Sequence, residues 1–100
     1  MRLRLTPAAE ADVRDIFAWY KDRGETLALD FRVALDACFD RIKRNPLAYQ
    51  KVYSEIRRAS LRRFPYCVFY LVTDSELVVI GVLHAHRDPK IWQSRYDIYS

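Results

Sequence analysis

Nothing in this 100-residue chain approaches the roughly 20 consecutive apolar residues that a membrane-crossing helix needs. The apolar run Leu77 to Leu83 holds only seven residues and fits a buried strand. The opening Met1-Arg2-Leu3-Arg4-Leu5 lacks the apolar core of a secretion signal. Both absences predict a soluble, cytoplasmic protein with no membrane partner. Cysteine is scarce, with Cys38 and Cys67 alone, and their spacing matches no zinc-ligand pattern. Cys38 falls on an apolar helix face and Cys67 inside a strand, so both are expected as buried free thiols. No metal site and no cofactor are expected. Repeats, linkers and low-complexity runs are missing too, which predicts one domain over residues 1–100.

Acidic residues are thin in the second half. Residues 51–100 carry eight Lys/Arg against five Asp/Glu, while residues 1–50 are nearly balanced at nine against eight. Between Lys51 and Val72 there are five basic residues and one acid, Glu55. This asymmetry suits an acidic partner, either nucleic acid or an acidic peptide, although a solvated basic face would look the same.

In chain order, Arg2 to Leu5 alternates basic and apolar, as a short edge strand does. Thr6-Pro7 reads as an N-cap followed by a first helical residue with no N–H to waste. Ala9, Val13, Ile16, Phe17 and Tyr20 then form one apolar stripe, and Gly24 ends the helix. Trp19 sits at the edge of that stripe, as a core-rim aromatic or a partner anchor. A second helix runs from about Glu25 to Arg44, with Leu27, Phe31, Ala34, Leu35, Cys38, Phe39 and Ile42 inward and Asn45-Pro46 as its stop. The short connection at Gly24 makes an antiparallel hairpin. Pro46 to Ser54 reads as a loop. Three strands follow: Ile56 to Arg62, Tyr66 to Thr73, and Leu77 to His84. Asp88-Pro89 opens a short C-terminal helix or tail. The expected fold is α+β, with an N-terminal strand and a two-helix hairpin packed on a mostly antiparallel sheet of three or four strands.

This pattern resembles the ParE/RelE superfamily of toxins from type II toxin–antitoxin systems. The resemblance is carried by Ala11-Asp12-Val13-Arg14-Asp15-Ile16 with Tyr20, by Phe31, Leu35 and Ile42 with Asn45-Pro46, and by Arg57-Arg58. Phe64 to Tyr70 and the ordered set His84-Ala85-His86-Arg87-Asp88-Pro89-Lys90-Ile91-Trp92 complete it. It implies a cognate antitoxin that wraps and silences the toxin, with operator DNA met only through the toxin–antitoxin complex. It also implies one of two activities. RelE-like members are ribosome-dependent mRNA endoribonucleases, and ParE-like members inhibit DNA gyrase.

Cleavage through an RNA 2′-hydroxyl needs a proton acceptor, cations for the phosphorane and an acid for the leaving oxygen. RelE-like toxins resemble this chain in fold but supply these with several Lys/Arg and a late Tyr. Cys67 stands where they carry an Arg, Ser60 where a second strand cation would be, and Trp92 near the late Tyr, although Tyr96 could be a displaced acid. A ribonuclease reading would rest on Arg58, His84, His86 and Arg87, with the two histidines paired by strand parity. The favoured reading is a ParE-like toxin that binds its target, gyrase first, through Arg57, Arg58, Arg62, Arg63, Tyr66, His86, Arg87 and Trp92. One arginine, Arg58, could instead serve the fold by pairing with Asp12 or Asp15. A third reading is an inactive, regulatory member that binds only its antitoxin.

Overall fold

A computed structural model describes the backbone of residues 1–99 and the side chains of residues 1–98. The elements in order are β1 (Arg2–Leu5), α1 (Pro7–Lys21), α2 (Glu25–Arg44), β2 (Lys51–Tyr53), β3 (Ile56–Ser60), β4 (Tyr66–Val72), β5 (Glu76–His84) and α3 (Pro89–Tyr99). α1 starts as its sequence dictates: the Thr6 hydroxyl accepts from Ala9 N at 3.2 Å, and Pro7 fills the first helical position.

The strands form one sheet in the order β1-β5-β4-β3-β2. Three of its four pairings are antiparallel, and β1 joins β5 in parallel. The expected α+β class and edge position of β1 hold. The sheet has one strand more than expected, because Lys51–Tyr53, read as loop, pairs with β3 through an irregular register. A bulge at the β4–β5 pairing steps from Phe69↔Gly81 to Tyr70↔Val79, leaving Ile80 without a partner residue.

Side-chain alternation divides the core in two. On one face Val68, Tyr70, Val79 and Val82 pack against Phe31, Leu35, Cys38 and Ile42 of α2 and Ala9 and Val13 of α1. Tyr20, Phe31, Phe64 and Tyr66 close this layer as an aromatic cluster with ring centroids 5.3–6.2 Å apart. On the other face Cys67, Phe69, Leu71, Val78 and Ile80 pack with Trp92 of α3.

That second face is turned away from the helical hairpin. α3 covers part of it, and Trp92 stacks on Phe69 at 4.9 Å with 6% of its surface exposed. Burying a ring of that size against the sheet is worth a few kcal/mol, which explains why the tail folds back as a helix. Gln93 to Tyr99 continues α3, while the ring of Tyr99 and all of Ser100 lie outside the described residues. Both cysteines are buried and free. Burial pushes the Cys38 thiol up to about 11. Among the described residues no helix is long and apolar enough to cross a membrane.

Candidate partner-binding end of the sheet

Two connections meet at one end of the sheet. The β3–β4 turn spans residues 61–65, and the β5–α3 turn spans residues 85–88. Ala85 N donates to Pro65 O at 2.8 Å and ties them together. Five sequence-selected residues therefore gather here: Arg62, Arg63, Tyr66, His86 and Arg87. His84 joins them as the last residue of β5. All but Tyr66 and His84 are exposed. Arg63 sits in the left-handed region at φ 71°, an uncommon conformation for a residue with a Cβ. It holds Asp30 loosely at 3.8 Å and lies 6.0 Å from the Phe64 ring.

His84 and His86 do come together, with ring centroids 5.5 Å apart, but not by strand parity. β5 ends at His84, and a turn brings His86 back over it. His86 N donates to His84 Nδ1 at 3.1 Å, so a neutral His84 carries its proton on Nε2. The His84 ring also meets Tyr66 edge-on at 5.7 Å.

Beside them lies a cleft of about 260 Å³ between α1 and the end of β5, lined by Asp15, Ile16, Trp19, Tyr66, His84 and Arg87 among others. Trp19 is 49% exposed, beyond a core rim. Arg23 lies 3.4 Å over its ring and donates to its carbonyl oxygen at 2.7 Å, so one face of the indole is covered by a cation. Tyr20 next to it is half-buried, and desolvation, reinforced by Tyr66, pushes its phenol up to about 12.

The remaining selected residues sit elsewhere. Arg57 points to the hairpin side and donates to the Leu47 and Tyr49 carbonyls at 3.2 and 2.7 Å, which ties the loop before β2 to β3. Arg58 is exposed on the opposite sheet face, since it pairs with Phe69 while His84 pairs with Tyr66. Arg58 does not pair with Asp12 or Asp15. Asp12 takes Arg95 instead, at 2.5 and 3.0 Å, and also accepts from Val82 N at 3.0 Å. Arg95 was not singled out in the sequence, and an arginine in a C-terminal helix gives no local sign of a partner on α1. Trp92 belongs to the second core, so its ring is not a surface group.

A second surface stands on the hairpin. Leu29 and Val33 of α2 are 57% and 69% exposed. Leu29 shares a groove of about 370 Å³ with Val13, Arg14, Phe17 and Arg32. The sequence stripe omitted Leu29 and Val33 because they fall off the helix face that meets the sheet. Exposed aliphatic residues on such a face are the signal that marks it.

The fold is that of a solved structure described as "Chromosomal ParDE TA system from P. aeruginosa", with a TM-score of 0.68 and 20% identity over 84% of this chain and 95% of that one. Two relatives named "Toxin ParE2", from Mycobacterium tuberculosis strains CDC 1551 / Oshkosh and ATCC 25618 / H37Rv, are each 29% identical over 89 residues, covering 88% of this chain and 85% of theirs. The sequence model of the ParE toxin of the type II toxin–antitoxin system parDE matches residues 3–89, and the chain belongs to that family.

Proposed function

We propose that this ParE-family toxin acts by binding and inhibiting a macromolecular target, DNA gyrase first, and that a cognate antitoxin neutralises it. The observation that carries the binding reading is the split of the ribonuclease set. Arg58 projects from one face of the sheet and His84 from the other, with β4 between their strands. One scissile phosphate cannot meet both, because cation and proton carrier must converge within hydrogen-bond reach. Arg62, Arg63, His86 and Arg87 instead make an exposed basic end next to aromatic rings, a composition suited to gripping an acidic protein surface.

The hairpin groove supports the antitoxin half of the proposal. Leu29 and Phe17 line it, exposed Val33 follows Leu29 one turn along α2, and Arg14 and Arg32 complete the lining. An amphipathic antitoxin segment with acidic flanks would bury the apolar residues and pair with the arginines.

Induction of the chain alone tests the proposal. Growth should stop with an SOS response and filamentous cells while transcripts stay intact, and a small acidic protein from the adjacent reading frame should restore growth. Truncated mRNAs at the onset of arrest would reject it in favour of the nuclease. Induction without arrest would leave a regulatory member that binds only its antitoxin.

A further inference from the structure

α2 buries one face and leaves another bare. Ala28, Phe31, Leu35, Cys38, Phe39 and Ile42 are buried toward the sheet. On the opposite side Thr26, Leu29, Val33, Ala37 and Asp40 recur every third or fourth residue, and all five are exposed. That spacing draws a straight seam along the helix, aliphatic in the middle with one polar group at each end. It is the spacing by which one helix meets another at a shallow crossing of about 20°, in contact along its length.

The charges beside the seam complement themselves. The first turn of α2 carries Glu25, and the last carries Arg41, Lys43 and Arg44. Glu25, Asp40 and Lys43 have no ion-pair partner among the described residues. An antiparallel copy of the helix sets the basic end of one on the acidic end of the other and opposes their dipoles. A parallel copy would set Lys43 beside Lys43 and Glu25 beside Glu25, and like charges repel.

We infer that the exposed face of α2 is a homodimer interface, on which a second copy of the chain packs antiparallel about a two-fold axis at Val33. The axis sets each residue opposite the one equally far on the other side of Val33. Val33 meets Val33, Leu29 meets Ala37, and the Thr26 hydroxyl donates to the Asp40 carboxylate of the second copy. The axis also keeps each flank of the helix beside the same flank of its copy. By helical spacing Glu25, Arg32, Asp36 and Lys43 share one flank, the one toward α1, where Arg32 lines a groove with Val13, Arg14 and Phe17. Lys43 then falls about 3 Å along the helix from Glu25 of the second copy, and symmetry repeats the pair. Arg32 and Asp36 pair within the chain at 3.4 Å and gather with their copies as a neutral quartet at the centre. Leu29 and Val33 are also the residues proposed above for the antitoxin, so the free toxin covers its own antitoxin face and the two complexes exclude each other.

Sedimentation equilibrium of the purified chain tests this. The chain should pass from monomer to dimer with a Kd on the order of 10 µM. Val33→Asp sets two carboxylates against each other at the axis and should weaken the dimer about ten-fold or more, with the fold intact because the side chain is exposed. Lys43→Glu and Glu25→Lys should each weaken self-association about ten-fold. An equimolar mixture of those two variants should dimerise as tightly as the native chain, because every pair across the interface is again of opposite sign. A chain that stays monomeric up to about 1 mM would overturn the inference and leave this face to the antitoxin. So would a dimer that survives Val33→Asp, or a mixture no tighter than its components. The mixture compares the same two chains apart and together, so it decides the matter even where one variant is less stable. The chain is measured alone, so failure here leaves the antitoxin reading standing, and failed rescue by the antitoxin leaves the dimer standing.

Discussion

Asp12 of α1 and Arg95 of α3 lie 83 positions apart and form a two-pronged carboxylate–guanidinium pair. The same two side chains bond Val82 N and Ile80 O, at the point where β5 loses β1 as a neighbour. One ion pair therefore joins three elements and satisfies two peptide groups at the β5 bulge. Both side chains are mostly buried, so each charge depends on the other.

Removing one partner leaves the other charge and a peptide group unpaired. Asp12→Ala is expected to destabilise the fold by about 3 kcal/mol. Asp12→Asn keeps an acceptor for Val82 N and is expected to cost about half of that. Urea denaturation followed by circular dichroism checks both values.

Gly81 is explained by the same guanidinium. A Cβ there would lie 2.9 Å from Arg95 Nη1, so Arg95 has to move. Gly81→Ala should cost about 1–2 kcal/mol in the native chain and much less in an Arg95→Ala background. A double-mutant cycle of thermal stabilities measures the difference, and additive effects would refute this account of the glycine.

Alkaline pH should unfold the protein through two desolvated phenols, the half-buried Tyr20 and the buried Tyr70. Burial raises Tyr20 and Tyr70 from 10 to about 12. Below pH 10 both are protonated in the folded and unfolded chains, and their contribution is fully present. Between pH 10 and 12 the unfolded chain loses these protons first, so stability falls with rising pH. Tyr70→Phe should flatten that fall, while costing about 1 kcal/mol at neutral pH because the hydroxyl donates to Pro46 O at 2.6 Å. Denaturation midpoints from pH 8 to 12 report both effects.

The two surfaces should separate genetically. Arg62→Ala, Arg63→Ala and Arg87→Ala together should abolish growth arrest with little change in stability, since all three side chains are exposed. Leu29→Asp with Val33→Asp should instead preserve arrest and defeat rescue by the antitoxin. Arg58→Ala should leave arrest intact, because Arg58 lies across the sheet from the basic end. Growth curves with and without the antitoxin read all three.

Periodicity made the hairpin and the three-strand meander legible, because α1, α2, β4 and β5 each carry an apolar pattern that matches their packing. β2 was not legible: three residues with an irregular register give no period to read. The parallel pairing of β1 with β5 spans more than 70 positions, and the Asp12–Arg95 pair spans 83. Neither leaves a trace in local sequence. At the site, residue types were readable but placement was not. Arg57 and Arg58 are neighbours with opposite fates, one tying down a loop and the other exposed on the far face. Trp92 looked like a surface aromatic in a short tail, and its stacking on Phe69 depends on a helix docking that the tail composition alone does not dictate.

The central claim is that this toxin binds gyrase rather than cutting RNA. A supercoiling assay with purified gyrase and the purified chain, run beside an incubation of the chain with translating ribosomes and labelled mRNA, tests it most directly. The account predicts inhibited supercoiling with the mRNA left whole, and loss of inhibition on replacing Arg62, Arg63 and Arg87. Cleaved mRNA with supercoiling unaffected would contradict it.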